Sequence, residues 1–165
     1  MRLRLGFLEA LREPVGLEAL AAEDERISDL LFVEAANPEP AAVRRTAAWV
    51  SPLTEEVTEA STLGVVFELY DLPDAESPTP YSLQAHLEDA NGARIPLYIC
   101  PSGAHEFRMM WSRMSDAKVC VAEYVMLDLT AVEPGDYTLE IVAPLPHTLD
   151  PVRSRRSLIV RSGLR

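Results

Sequence analysis

Apolar and polar residues alternate most cleanly between Tyr124 and Val142, YVMLDLTAVEPGDYTLEIV. Tyr124, Met126 and Asp128 interleave with Val125, Leu127 and Leu129, and a period of two sends the two sets to opposite faces of a sheet. Pro134-Gly135 interrupts the pattern, since proline fixes φ and glycine permits φ > 0, a pairing suited to a sharp turn. Alternation then resumes, with Tyr137, Leu139 and Ile141 on one face and Thr138 and Glu140 on the other. A strand, Pro134-Gly135, Tyr137 and a second strand match the tyrosine corner of Greek-key sandwiches, in which the tyrosine hydroxyl bonds to backbone just upstream. The alternative for Tyr137 is an ordinary half-buried strand aromatic.

The same pattern recurs around this centre. LGVVFELY, from Leu63, reads as a strand with Val65, Phe67 and Leu69 on one face. YSLQAHLE places Tyr81, Leu83, Ala85 and Leu87 inward, and Ser82, Gln84, His86 and Glu88 outward. Asp89 to Gly92 supplies hairpin chemistry, and RIPLYIC returns as the partner strand. EFRMMWSR, KVCVAEYVMLDL and the terminal SRRSLIVR complete about seven strands in about a hundred residues, the spacing expected of an Ig-like antiparallel β-sandwich. Residues 62–165 are assigned to it. Residues 1–61 read as an N-terminal extension: an ambiguous start over 1–26, an extended ISDLLFVE, the linker AANPEPAA, a weak strand ending at Trp49, and an acidic stretch from Leu53 that suits a helix or a solvated loop.

Composition narrows the function classes. The net charge of −11 opposes binding to phosphate backbones, so nucleic acid is an unsuitable partner. The chain has no apolar run long enough to span a membrane, and Glu9, Arg12 and Glu13 interrupt what would be a signal core. The cytoplasm or the cytoplasmic face of a membrane is therefore expected, with the periplasm or envelope as the alternative for a trimmed chain. Cys100 and Cys120 lack the close spacing of metal ligands and read as buried thiols, a cross-strand disulfide being the alternative in an oxidising compartment. No metal or other cofactor is expected. Asp71, Asp74 and Glu76 crowd a proline-interrupted loop without Ca²⁺-site spacing. His86, His105 and His147 accompany no nucleophile elbow, and nothing in the sequence lowers the pKa of Cys100, so an enzyme is not expected.

Two features point to partners. Met109, Met110, Trp111 and Met114 form the richest cluster of soft apolar residues, and without clean alternation some of them should face outward for a partner; core packing with a bulge is the alternative. Arg153, Arg155 and Arg156 head a terminal segment with no acid after Asp150. That segment suits an acidic partner or anionic headgroups, or else a charged edge strand protected from mispairing.

Ser28, Asp29, Leu30 and Leu31, then Phe67, Glu68, Leu69, Tyr70 and Leu72, then Pro134, Gly135, Tyr137 and Leu139 together resemble the C-terminal region of bacterial GWxTD-domain proteins. The resemblance covers roughly residues 27–161 and lacks the naming Gly-Trp-x-Thr-Asp motif. It implies an Ig-like sandwich in an interaction or accessory role. The expectation is a non-enzymatic accessory or scaffolding subunit that binds protein in a larger assembly, with peripheral membrane association open to it. A carbohydrate- or small-ligand-binding sandwich using Tyr70, Tyr81, Tyr98 and Trp111 is the alternative.

Overall fold

A computed structural model describes residues 26–34, 55–58, 62–70, 72, 77–115, 120–146 and 148–162. Among them are ten strands and no helix: β1 (Leu31–Glu34), β2 (Glu56–Thr58), β3 (Thr62–Leu69), β4 (Pro80–Asp89), β5 (Arg94–Leu97), β6 (Ile99–Pro101), β7 (Trp111–Met114), β8 (Val121–Asp128), β9 (Gly135–Ala143) and β10 (Val152–Arg161). They form two sheets, ordered β1-β3-β8-β6 and β2-β10-β9-β4-β5, with β7 also paired to β4. The chain is an Ig-like β-sandwich, antiparallel except where β2 runs parallel to β10. Among the described residues no helix is long and apolar enough to cross a membrane.

The core lies where the inner faces meet. Phe32, Val65, Phe67, Leu69 and Leu127 from one sheet pack with Leu83, Leu87, Leu139, Ile141 and Leu158 from the other, all buried. The inward set predicted for β4, Tyr81, Leu83, Ala85 and Leu87, is fully buried. The hairpin after β4 also follows the sequence. Gly92 has φ +80°, and the backbone amides of Asn91 and Ala93 both donate to Asp89 Oδ1 at 2.8 Å. At the corner, the Tyr137 hydroxyl donates to the Glu133 carbonyl at 2.9 Å, and its ring lies over Gly135, where a Cβ would sit 3.3 Å from Tyr137 Cε2. Pro134, Gly135 and Tyr137 therefore build the tyrosine corner.

Three expectations change. The sandwich draws on residues before 62, because β1 pairs with β3 and β2 pairs with β10. Glu56–Thr58 is a strand rather than a helix or loop. RIPLYIC is not one strand: β5 pairs with β4, then the chain passes at Tyr98 into the other sheet, where β6 pairs with β8. A strand that changes sheet makes a corner of the sandwich. The terminal segment keeps its edge-strand reading over the arginines: β9 pairs with Val152–Val160, whereas among the described residues β2 covers only Ile159–Arg161. The readings over 1–25, AANPEPAA, the strand ending at Trp49, the acidic loop Asp71–Glu76 apart from Leu72, and His147 fall outside the described residues.

Candidate functional site

The outer face of the six-stranded sheet follows from strand register. His86 of β4 stands between Pro96 of β5 and Glu140 of β9, and Glu140 faces Arg155 of β10. One row along, Gln84 faces Val142, and Val142 faces Arg153. Paired residues share a face, so Gln84, His86, Glu140, Val142, Arg153 and Arg155 all point away from the core.

Glu140 is the centre of this face. Its side chain is only 3% exposed, and it accepts from Arg94 Nη2 at 2.7 Å, from Arg155 Nε and Nη2 at 3.0 and 2.9 Å, and from Arg153 Nη1 at 3.4 Å. Arg94 also lies 3.8 Å from Glu88. The Nδ1 atom of His86 is buried beside them and has no hydrogen-bond partner among the described residues. Burial lowers the His86 pKa from its ordinary value; Glu140 opposes the shift, while Arg94 and Arg153 add to it.

Arg156 belongs elsewhere. A period of two sends it to the opposite side of β10 from Arg153 and Arg155, and it is buried. Its Nη1 donates to the Leu30 carbonyl at 2.7 Å, and its guanidinium stacks 4.4 Å from the Phe32 ring centroid. It joins the two sheets inside the sandwich and is not part of an outward basic end. The alternation of SRRSLIVR carried that distinction, which grouping the arginines by proximity in sequence missed.

The methionine cluster is also divided. Trp111 pairs with Leu83, packs against the core, and donates its indole N–H to the Ile99 carbonyl at 2.8 Å. Arg108 covers that indole, 4.7 Å from the ring centroid. Met109, Met110 and Met114 are 53, 53 and 58% exposed. The antiparallel bridge between Ile99 and Arg108 sets Met109 beside Tyr98, which is also exposed. Met114 pairs with Pro80, and the Gln84 amide donates to Met110 Sδ at 3.3 Å, so the methionines border the outer face at its β4 edge.

One polar cluster between the sheets had no signal in the sequence beyond a lone glutamate in an apolar run. Glu123 of β8 is 1% exposed, accepts from the Tyr81 hydroxyl, and contacts Arg113 of β7 at 3.4 Å. Burial, then the charge of Glu123, raises the Tyr81 phenol above its ordinary value, which keeps it a donor. The cluster spans both layers and is closed to solvent at Glu123.

The remaining candidate groups do not converge. Cys100 is buried and Cys120 half-buried, and the two are free thiols. Burial raises the pKa of Cys100, and burial with the charge of Glu68 pushes Cys120 up to about 11, so both stay protonated at neutral pH. Among the described residues no three His, Cys, Asp or Glu side chains are grouped as metal ligands. Of the four aromatics proposed for a sugar site, Tyr81 is buried, Trp111 is bonded inward, and the Tyr70 hydroxyl donates to Glu68. Tyr98 remains exposed.

No family model matches the chain, and no curated protein matches it. Solved structures do. The CooA pilin subunit from enterotoxigenic Escherichia coli is 13% identical, with 84% of this chain aligned to 99% of that one at a TM-score of 0.37. A PapD-like domain of human CEP192 is 12% identical, with 68% of this chain aligned to 84% of that one, also at 0.37. A family 123 glycoside hydrolase from Clostridium perfringens is 10% identical over 83% of this chain, at a TM-score of 0.44. The chain spans 28% of that hydrolase's length. These are likenesses of β-architecture and carry no activity across.

Proposed function

We propose that the chain is a non-enzymatic accessory module that binds another protein through the methionine-bordered edge of its six-stranded sheet. The observation behind this reading is the run of exposed Tyr98, Met109, Met110 and Met114 at one edge of β4. Flexible, polarisable methionine side chains beside a tyrosine adapt to a partner's surface, and both residue types are enriched at interfaces. The carbohydrate-binding alternative is less well served, because its aromatics do not share a cleft.

Affinity purification of the native chain from membrane and soluble fractions, repeated with a Met109→Ser/Met110→Ser/Met114→Ser variant, tests the reading. A stoichiometric partner that is retained by the native chain and lost by the variant is the expected result. A partner held equally by both would move the interface to another surface. Isolation of the chain as a lone monomer from both fractions would refute the accessory role.

A further inference from the structure

We propose that the outer face of the six-stranded sheet receives an acidic segment of the partner, its apolar side chain resting on Met110 and its carboxylates on Arg153 and Arg94. This rests on the protein-binding reading above and assigns that partner its chemistry.

The argument begins with the charges around Glu140. A carboxylate and one guanidinium neutralise each other, as Glu123 and Arg113 do between the sheets. Glu140 instead gathers Arg94, Arg153 and Arg155, with Glu88 lying 3.8 Å from Arg94 on the same face. Positive charge converges on one residue, and the guanidiniums repel one another across it. Arg153 is the most loosely held of the three, with its contact to Glu140 at 3.4 Å. Arg94 and Arg153 keep 43 and 40% of their side-chain surface exposed. They grip opposite oxygens of Glu140, Arg94 on Oε2 and Arg153 on Oε1, and so flank a buried anion from two sides. A second carboxylate arriving from solvent would meet two partly hydrated guanidiniums, already held in place, with the fork geometry that matches it.

Register joins this patch to the methionine edge. Met110 contacts Gln84, Gln84 faces Val142, and Val142 faces Arg153. Gln84 and Arg153 are two strand spacings apart, about 10 Å. About three residues of extended chain cover that distance. Within this span, Val142 is buried and Gln84 is polar, so a segment can lie flat across the row. The chain as a whole is strongly acidic, and among the described residues this face gathers guanidiniums that attract an acidic segment.

Panning a random peptide library on the full-length chain tests the proposal. Enriched peptides are expected to place Asp or Glu near an apolar residue. An Arg94→Ala/Arg153→Ala variant is expected to bind them about tenfold more weakly, and Met110→Ser should also weaken them. Arg153→Lys, which keeps the charge, should retain part of the affinity. Thermal melts establish that each variant is folded. Neutral or basic peptides that need Met110 but neither arginine would overturn the acidic chemistry and leave the protein-binding reading standing. A library with no enriched peptide would count against both. Capture of phosphatidylserine vesicles through Arg94 and Arg153, with no acidic peptide enriched, would assign the face to a lipid surface and overturn the proposal.

Discussion

On the four-stranded sheet the residues that point away from the sandwich core include Leu31, Val33, Gly64, Val66 and Tyr124, and all are buried. On the six-stranded sheet the corresponding positions hold Ser82, Gln84, His86, Glu140, Arg153 and Arg155. The strands share length and pairing but use their second face differently. β3 and β8 remove apolar surface from water on both sides, so each side contributes to stability. The central strands of the other sheet bury apolar side chains mainly on one side, Val142 excepted, and keep charged groups on the other. Buried apolar surface occupies both faces of one sheet, and partly exposed charge occupies one face of the other.

The sharpest break of that comparison places the same charge on each outer face. Val66 is 1% exposed, and Val66→Glu would bury an unpaired carboxylate there. A loss of about 3 kcal/mol or more is expected from urea denaturation. Gln84→Glu, on the other sheet near Arg153, should change stability by no more than about 0.5 kcal/mol. Equal midpoints for the two variants would remove the distinction between the faces.

A smaller effect tests how closely the buried outer face is packed. Gly64 pairs with Val33 on one side and Met126 on the other. A Cβ at this position would lie 2.7 Å from Val33 Cγ2 and 3.0 Å from both Tyr124 Oη and the Val33 carbonyl oxygen. Part of that obstruction is backbone, which yields less readily than a side-chain tip. Gly64→Ala is expected to cost about 2 kcal/mol through overpacking, although alanine ordinarily suits a strand interior better than glycine. A neutral or stabilising result would show that β1 can move away from β3.

The difference between the faces was partly legible in the sequence. Strict alternation in YSLQAHLE and DYTLEIV marks strands with one face on the core, and the structure turns Leu83, Leu87, Leu139 and Ile141 inward, although Glu140 and Val142 on the outer face are buried as well. LGVVF, residues 63–67, is a continuous apolar run, the signature of a strand buried on both sides, and a reading of Val65, Phe67 and Leu69 as one face leaves the second buried face out. The tyrosine corner was legible because its bond is local, from Tyr137 to a carbonyl four residues upstream. The collar around Glu140 was not, because Arg94 lies 46 residues away from it and meets it only through the β4–β5 and β4–β9 registers. The passage from β5 to β6 was hidden because Tyr98, where the chain changes sheet, interrupts nothing in the apolar pattern around it.

The smallest expected effect concerns pH and belongs to the charged face. His86 of β4 faces Glu140 on β9, with Arg94 from β5 and Arg153 from β10 also acting on it. Burial holds its folded-state pKa below the ordinary 6.5, and the two arginines add to the shift against the pull of Glu140. Between the folded and unfolded values, the unfolded chain binds more protons than the folded chain, so stability rises with pH across that window. The contribution from His86 is therefore fully present above about 6.5 and is lost as pH falls from there through the folded pKa. His86→Gln should flatten this limb of the pH–stability curve while leaving the value at neutral pH nearly unchanged. If the limb is as steep in the variant as in the native chain, the acid sensitivity lies in other groups and the imidazole is better hydrated than its buried Nδ1 implies. If the limb flattens, one protonation adds a positive charge to a face that already holds three guanidiniums around Glu140, with Glu88 beside Arg94. The resulting destabilisation would measure chiefly the cost of burying a charged imidazole there, with the arginines adding to it against the pull of Glu140.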